Sequence, residues 1–241
     1  MKYSAAIFAL AGTALAARRA THDLVHPQHM SIPNRRANSG REYSANWSGA
    51  TQTGEGFNKV NGTIVLPKAT GGGDAGASAW VGIDGSSCTT AILQTGIDFN
   101  GDGSYRAWYE WLPDVSHDFD GFDLLAGDEI YMEVNACSKT TGLATLENLT
   151  TGQKATHSFE RPSDPLCQTN AAWIVEDFYA GDTRVPMANF GKVTFANAFA
   201  QNSAGTVTPG GGTIINIRDS DGKVFTDCNT SGDNLTCTYI G

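Results

Sequence analysis

ASAWVGIDGSSCTTAILQTGIDFNGDGSYRAWYEWLP, residues 77–113, holds three apolar and aromatic runs divided by turn residues. The runs ASAWVGID, TAILQTGIDF and SYRAWYEWLP alternate along their length and do not recur every three or four residues. Alternation over so short a span, with β-branched and aromatic residues between Gly-rich turns, reads as strands. In a strand, successive side chains point to opposite faces. Ala79, Val81 and Ile83 therefore share one face, and Ser78, Trp80, Gly82 and Asp84 the other. Gln94 and Asp98 share a face. Arg106, Trp108 and Glu110 share another, with Tyr109 and Trp111 opposite.

The same rhythm extends outward in both directions. GTIVLP precedes the stretch, and DEIYMEVNA, LATLENLT, KATHSFE, AAWIVEDF, KVTFANAFA, TIINIRD, KVFTDC and LTCTYI follow it. GGGDAG, TTG, PGGG and SDGK supply turns. A dozen such runs without helical periodicity make residues 43–241 one all-β domain, a sandwich or a barrel. In DEIYMEVN, Ile130, Met132 and Val134 face a core while Glu129, Tyr131 and Glu133 face out. Several strands thus carry one face of acids, amides and rings. On one curved sheet that face forms a wide acidic groove suited to an extended substrate.

AAWIVEDF, residues 171–178, poses the chemical question. Glu176 shares a face with Ile174 and Phe178, and Asp177 points to solvent or a turn. A carboxylate on a half-apolar face is costly unless paired, hydrogen-bonded or used.

Residues 1–17 join one Lys to an apolar run ending in small residues, the pattern of a secretory signal peptide. Residues 18–42 read as a basic pro-segment, with Arg35-Arg36 as a dibasic processing site. Six of the 16 basic residues but only two of the 25 acids lie in 1–42, which leaves 43–241 with 10 basic and 23 acidic residues. That balance argues against nucleic acid or an anionic membrane as partner. A basic segment beside an acidic body suggests an electrostatic latch that loosens in acid. The expected protein is secreted, monomeric and free of cofactors.

Secretion favours disulfides. Cys228 and Cys237 flank a short polar segment and read as a hairpin staple, and Cys88 and Cys167 are placed to tie two distant loops. Cys137 is the odd one, expected to be buried in a strand. No CxxC or His/Cys cluster suggests a structural metal site. N-glycosylation signals occur at Asn46, Asn61, Asn148, Asn229 and Asn234.

YSANWSGA, SAWVGIDG, CTTAILQTGIDF, AWYEWLPD, ATLENLTTGQ and CQTNAAWIVEDF, in this order, resemble the eqolisins, the glutamic peptidases. The resemblance runs from Tyr43 to Ile240. It implies a concanavalin-like sandwich of two bent antiparallel sheets and polypeptide substrates. It implies a catalytic dyad of Gln94 and Glu176, with Trp80, Asp84 and Glu110 beside it, and a Cys88–Cys167 disulfide. Apart from the resemblance, the electrostatic latch makes the pro-segment an expected inhibitor of the domain. Two departures stand out. Arg106 occupies a position where the family carries Asp, which lets it pair with Glu110 or alter specificity. Residues 179–189 lack the Cys of a further family disulfide.

Without the resemblance, Gln94 reads as a solvated strand residue, Glu176 as a salt-bridge or turn partner and Trp80 as core. Asp98 and Asp177 read as structural, and His117 and His157 as surface residues. Two further readings fit the groove: a glycoside hydrolase using Glu110 and Glu176, and a lectin-like sandwich without chemistry. The amide of Gln94 separates them, since a glycosidase needs a second acid and a peptidase of this type needs the amide.

Overall fold

The computed structural model describes residues 41–160, 162–180 and 183–241. The expected signal peptide and nearly all of the expected pro-segment lie outside them. No helix occurs among the described residues. The chain runs through β1 (Arg41–Ser44), β2 (Trp47–Thr53), β3 (Lys59–Val65), β4 (Gly76–Asp84), β5 (Ile92–Asn100) and β6 (Tyr105–Leu112). It continues with β7 (His117–Asp118), β8 (Glu129–Ser138), β9 (Thr141–Asn148), β10 (Gln153–Glu160), β11 (Asn170–Glu176) and β12 (Tyr179–Ala180). It ends with β13 (Thr183–Arg184), β14 (Lys192–Asn202), β15 (Gly205–Val207), β16 (Thr213–Ile217), β17 (Thr226–Ser231) and β18 (Asn234–Tyr239).

Two sheets form the sandwich. One has the order β1-β16-β2-β11-β4-β5-β6-β7. The other has β10-β9-β8-β3-β14-β18-β17, with β15 on β14. Pairing is antiparallel except between β1 and β16, which run parallel. A β12–β13 hairpin stands apart. The core lies between the sheets, where Ala79, Val81 and Ile83 of β4 belong to one cluster with Ile130, Met132 and Val134 of β8. Trp173 of β11 is fully buried there, and its indole donates to Asn61 O of β3 at 2.7 Å, tying one sheet to the other. Truncating such a ring to Ala costs about 3–5 kcal/mol.

The first sheet is apolar on both faces. Its outer face carries a second cluster of Trp47, Trp80, Ile92, Trp108, Leu112, Ala172, Ile174 and Ile215. Two glycines make this possible. A Cβ on Gly96 would lie 2.4 Å from Ala79 O and 2.6 Å from Trp80 Cβ, so only glycine lets the indoles close over β5. Gly49 has φ of 142°, and a Cβ there would lie 2.0 Å from Trp173 O.

Both expected disulfides are present, Cys88–Cys167 with Cα atoms 6.0 Å apart and Cys228–Cys237 with 4.1 Å. Cys137 is free, as expected, but exposed and not buried. It lies on the outward face of β8 with Glu133 and Asn135, at a register shift between Ala136 and Ser138. The alternation that buries Val134 and Ala136 turns Cys137 out. Among the described residues, no helix is long and apolar enough to cross a membrane.

Candidate active site

Strand register decides which residues meet on the outer face of the first sheet. One row runs Glu110, Gln94, Gly82 and Ala172 across β6, β5, β4 and β11. The next runs Trp108, Gly96, Trp80 and Ile174. The third runs Arg106, Asp98, Ser78 and Glu176. Gln94 and Glu176 therefore share one face, two strands and two rows apart, with Trp80 between them. A Cβ on Gly82 would lie 3.1 Å from Trp80 Cζ3 and 3.2 Å from Gln94 Cβ, so the indole reaches toward Gln94 at one end. At its other end Trp80 Nε1 donates to Glu176 Oε2 at 2.7 Å.

Glu176 is 4 % exposed. Asn46 Nδ2 donates to its Oε1 at 3.0 Å, and the Trp47 indole donates to it as well. Burial disfavours the charged form, and the three N–H donors offset this only in part, so the carboxyl is pushed up to about 7. Below that value it keeps its proton.

Gln94 is also buried, and its Nε2 donates to Glu110 Oε2. Gln94 Oε1 and Glu110 Oε1 have no hydrogen-bond partner. Glu110 is fully buried, and desolvation raises it well above the ordinary carboxyl range against the pull of the Gln94 amide. Buried acceptors are almost always satisfied. A free amide oxygen on this face is thus suited to receive a water or substrate N–H. Gln94 retains one further N–H beyond the bond to Glu110.

Arg106 does not pair with Glu110. Its guanidinium binds Asp118 through Nε at 2.5 Å, Asp98 through Nη1 at 3.3 Å, and Ser116 O and Oγ through Nη2 at 3.3 and 3.0 Å. Opposite Arg106 in the ladder, Asp98 is the direct partner and Glu110 lies four residues along the same strand. Asp98 also accepts from Trp108 Nε1 at 2.8 Å. Asp84 stands at the end of β4 with φ of 74°, where its carboxylate accepts the backbone N–H groups of Gln168, Thr169 and Asn170. It shapes the 168–170 loop beside the Cys88–Cys167 disulfide. Asp84 approaches both of those sulfurs, but the cysteines are bonded to each other and the carboxylate is occupied, so the three do not form a metal site.

Asp177 is buried, not at a solvent-facing turn. Arg184 clasps it through Nη2 at 2.6 Å and Nε at 3.0 Å and also donates to Ala45 O. This clasp anchors β13 against the end of β11. Beyond the Glu176 row the face continues past Asn100 and Phe178 into a cavity of about 710 Å³, walled also by Arg106, Phe119, Phe122 and Arg184. His117 is exposed, whereas His157 is half-buried and stacks on Tyr109 with centroids 3.9 Å apart, away from this face.

Residue-level reading assigned no role to Asn46, Trp47 or Trp108 and left Asp98 as structural. Asp98 was legible from its even spacing with Gln94. Asn46 and Trp47 hold Glu176 only because β2 pairs with β11, bringing Trp47 opposite Glu176.

The chain also has relatives among known proteins, which bear on its family and fold. Residues 45–239 match the model of the Peptidase A4 family. The chain is 47 % identical over 223 residues to aspergillopepsin-2 of Aspergillus niger, covering 83 % of this chain and 79 % of that protein. It is 45 % identical over 204 residues to scytalidopepsin B of Scytalidium lignicola, covering 81 % and 78 %. The crystal structure of scytalido-glutamic peptidase with a transition-state analogue inhibitor superimposes with a TM-score of 0.78 at 45 % identity, covering 82 % of this chain and 99 % of that one. Aspergilloglutamic peptidase from Aspergillus niger gives 0.66 at 52 % identity, covering 69 % and 99 %.

Proposed function

Because the chain belongs to the peptidase A4 family, we propose that this glutamic-type peptidase is a secreted, acid-active endopeptidase working through Glu176 and Gln94. The observation that carries the proposal is the pair of poised groups on one face: a buried carboxyl held by three N–H donors, and a buried amide with an unpartnered oxygen.

Peptide hydrolysis needs a base for water, stabilisation of the carbonyl oxygen and an acid for the leaving nitrogen. In the protonated form of Glu176, the bare oxygen takes a proton from water while the O–H gives its own to the scissile carbonyl oxygen. The water oxygen bonds to the carbonyl carbon. Gln94 Oε1 accepts the water's second O–H, and its spare N–H binds the carbonyl oxygen. The product is a neutral gem-diol with Glu176 still protonated. Glu176 then donates to the nitrogen, the C–N bond breaks with its electron pair on nitrogen, and one diol proton returns to Glu176. Above about pH 7 only the carboxylate remains. It can still take the water's proton, but it has none to give to the carbonyl oxygen. Glu176 is thus base and then acid, and the protonated start favours activity in acid.

Glu110 holds the Gln94 amide in this scheme, and Trp80 holds Glu176. The cavity past Asn100 and Phe178, whose walls include neither Glu176 nor Gln94, has room for substrate side chains farther from the scissile bond. The mature domain acts as a monomer on polypeptides, and the pro-segment restrains it until acid loosens the contact.

The test is cleavage of a denatured protein at about pH 3 and pH 7, with pepstatin and EDTA in parallel. Acid cleavage that survives both inhibitors is expected. A processed chain that cleaves no protein but binds or hydrolyses a polysaccharide would replace this reading with the sugar-directed one.

A further inference from the structure

Five Asn-X-Ser/Thr signals lie in the folded domain, and the structure treats them unequally. Asn46 is 4 % exposed, and its Nδ2, the atom a glycan would take, donates to Glu176. Asn61 is 3 % exposed, with Nδ2 on Tyr131 Oη at 3.2 Å and Oδ1 receiving Phe199 N at 3.1 Å. Asn148 is fully buried, with Nδ2 on Asp128 Oδ2 at 2.8 Å and Oδ1 accepting from Thr150 and Thr151 N. A sugar on any of these nitrogens would have to displace packed protein and break those bonds.

The other two signals lie on the hairpin of β17 and β18, stapled by Cys228–Cys237. Alternation turns Cys228, Leu235 and Cys237 inward and Asn229 outward. Asn229 is exposed, and no side-chain hydrogen bond engages it among the described residues. Ser231, which completes its signal, is exposed too. Asn234 is half-buried beside the turn, and the hydroxyl that completes its signal, Thr236 Oγ1, is bonded to Thr194 Oγ1 at 2.9 Å. Asn229 lies opposite Thr236, which puts Asn234 diagonal to it on the same face, within roughly 7–8 Å. Two glycan stems would crowd there.

We propose that Asn229 is the N-glycan acceptor of this domain and that Asn46, Asn61 and Asn148 stay bare. The proposal rests on the secretory reading. The donor is a polyprenyl-diphosphate oligosaccharide. A bond forms between Asn229 Nδ2 and C1 of the first sugar, the bond from C1 to the diphosphate oxygen breaks, its electron pair leaves with the diphosphate, and Nδ2 gives up one proton. The bare state of Asn46 has a functional consequence, because its amide is needed intact on the catalytic carboxyl.

The test is expression of the full chain in a eukaryotic secretory host, with glycopeptide mapping of active enzyme recovered from the medium. The expected result is one occupied site, at Asn229, converted to Asp by peptide amidase treatment. N229Q should lose that glycan mass and keep wild-type kcat/KM. Enzyme from the medium that is bare at Asn229, or active enzyme glycosylated at Asn46, Asn61 or Asn148, would overturn the assignment alone. A chain retained in the cytosol would overturn the secretory reading with it.

Discussion

Replacing Glu176 by Gln should change how stability depends on pH as well as stopping catalysis. The folded-state carboxyl lies at about 7, against 4.5 for an ordinary glutamate. A group raised on folding contributes stability that is fully present below its unfolded value and is lost as pH climbs through the folded one. Glu176 therefore favours the fold below about pH 4.5 and surrenders that contribution by about pH 7. At about 1.4 kcal/mol per pH unit, this gap is worth about 3 kcal/mol. Gln does not titrate. Its NH₂ must face either Asn46 Nδ2 or Trp80 Nε1, costing about 1–3 kcal/mol, but that cost is the same at every pH. The variant should thus gain about 3 kcal/mol on its parent between pH 3.5 and pH 8, or about 6–12 °C in Tm for a domain of this size. The assay is denaturant unfolding across that range, with both proteins in a Gln94→Ala background so that neither digests itself. Glu110 and Asp177, raised in the same direction, remain in both and cancel to first order. A difference that stays flat with pH, or moves the other way, would refute the claim that burial governs this carboxyl.

Gln94→Ala should lower kcat by about two orders of magnitude, as loss of a donor to the reacting oxygen does, with KM little changed; steady-state kinetics at about pH 3 checks it. The kcat/KM profile should decline through about pH 7 as Glu176 ionises, and a profile that rises to a plateau above that pH would show that only the carboxylate starts the reaction. Trp80→Phe removes one N–H that favours the charged form, so that decline should move to higher pH; an unmoved limb would deny Trp80 its hold on Glu176. Arg184→Ala should leave Asp177 buried and unpaired, costing about 3 kcal/mol at neutral pH and less in acid where Asp177 is protonated; equal losses at both pH values would contradict the clasp.

The sheets were legible because alternation is local. Val81 and Ile83 against Trp80 and Gly82 sort correctly without knowledge of any neighbour, and so do Ile130 to Val134. The site was legible in part for the same reason: Gln94, Asp98, Glu110 and Glu176 sit at even spacing on strands that share one face. What the sequence did not reveal depends on register between distant strands. Arg106 reads equally well as a partner of Glu110 or of Asp98, and only the β5–β6 pairing puts Asp98 opposite it. Asn46 precedes Glu176 by 130 residues, and its amide meets the carboxyl only once β2 has docked on β11. Asp177 looked exposed because its burial comes from the β12–β13 hairpin and Arg184, outside its own strand. The protonation state of Glu176 was hidden for a related reason. Burial raises this carboxyl against the pull of three N–H donors, and both the burial and the donors come from residues distant in sequence.

The central claim is that one buried carboxyl serves as base and acid in peptide cleavage. Its most direct test is the single-turnover rate of Glu176→Gln against wild type on a denatured protein at about pH 3, with both shown to be folded by near-UV circular dichroism. A rate indistinguishable from the uncatalysed reaction in a folded variant is predicted. Turnover within about tenfold of wild type would mean that the proton passes through another group, and Glu176 would lose its place in the reaction.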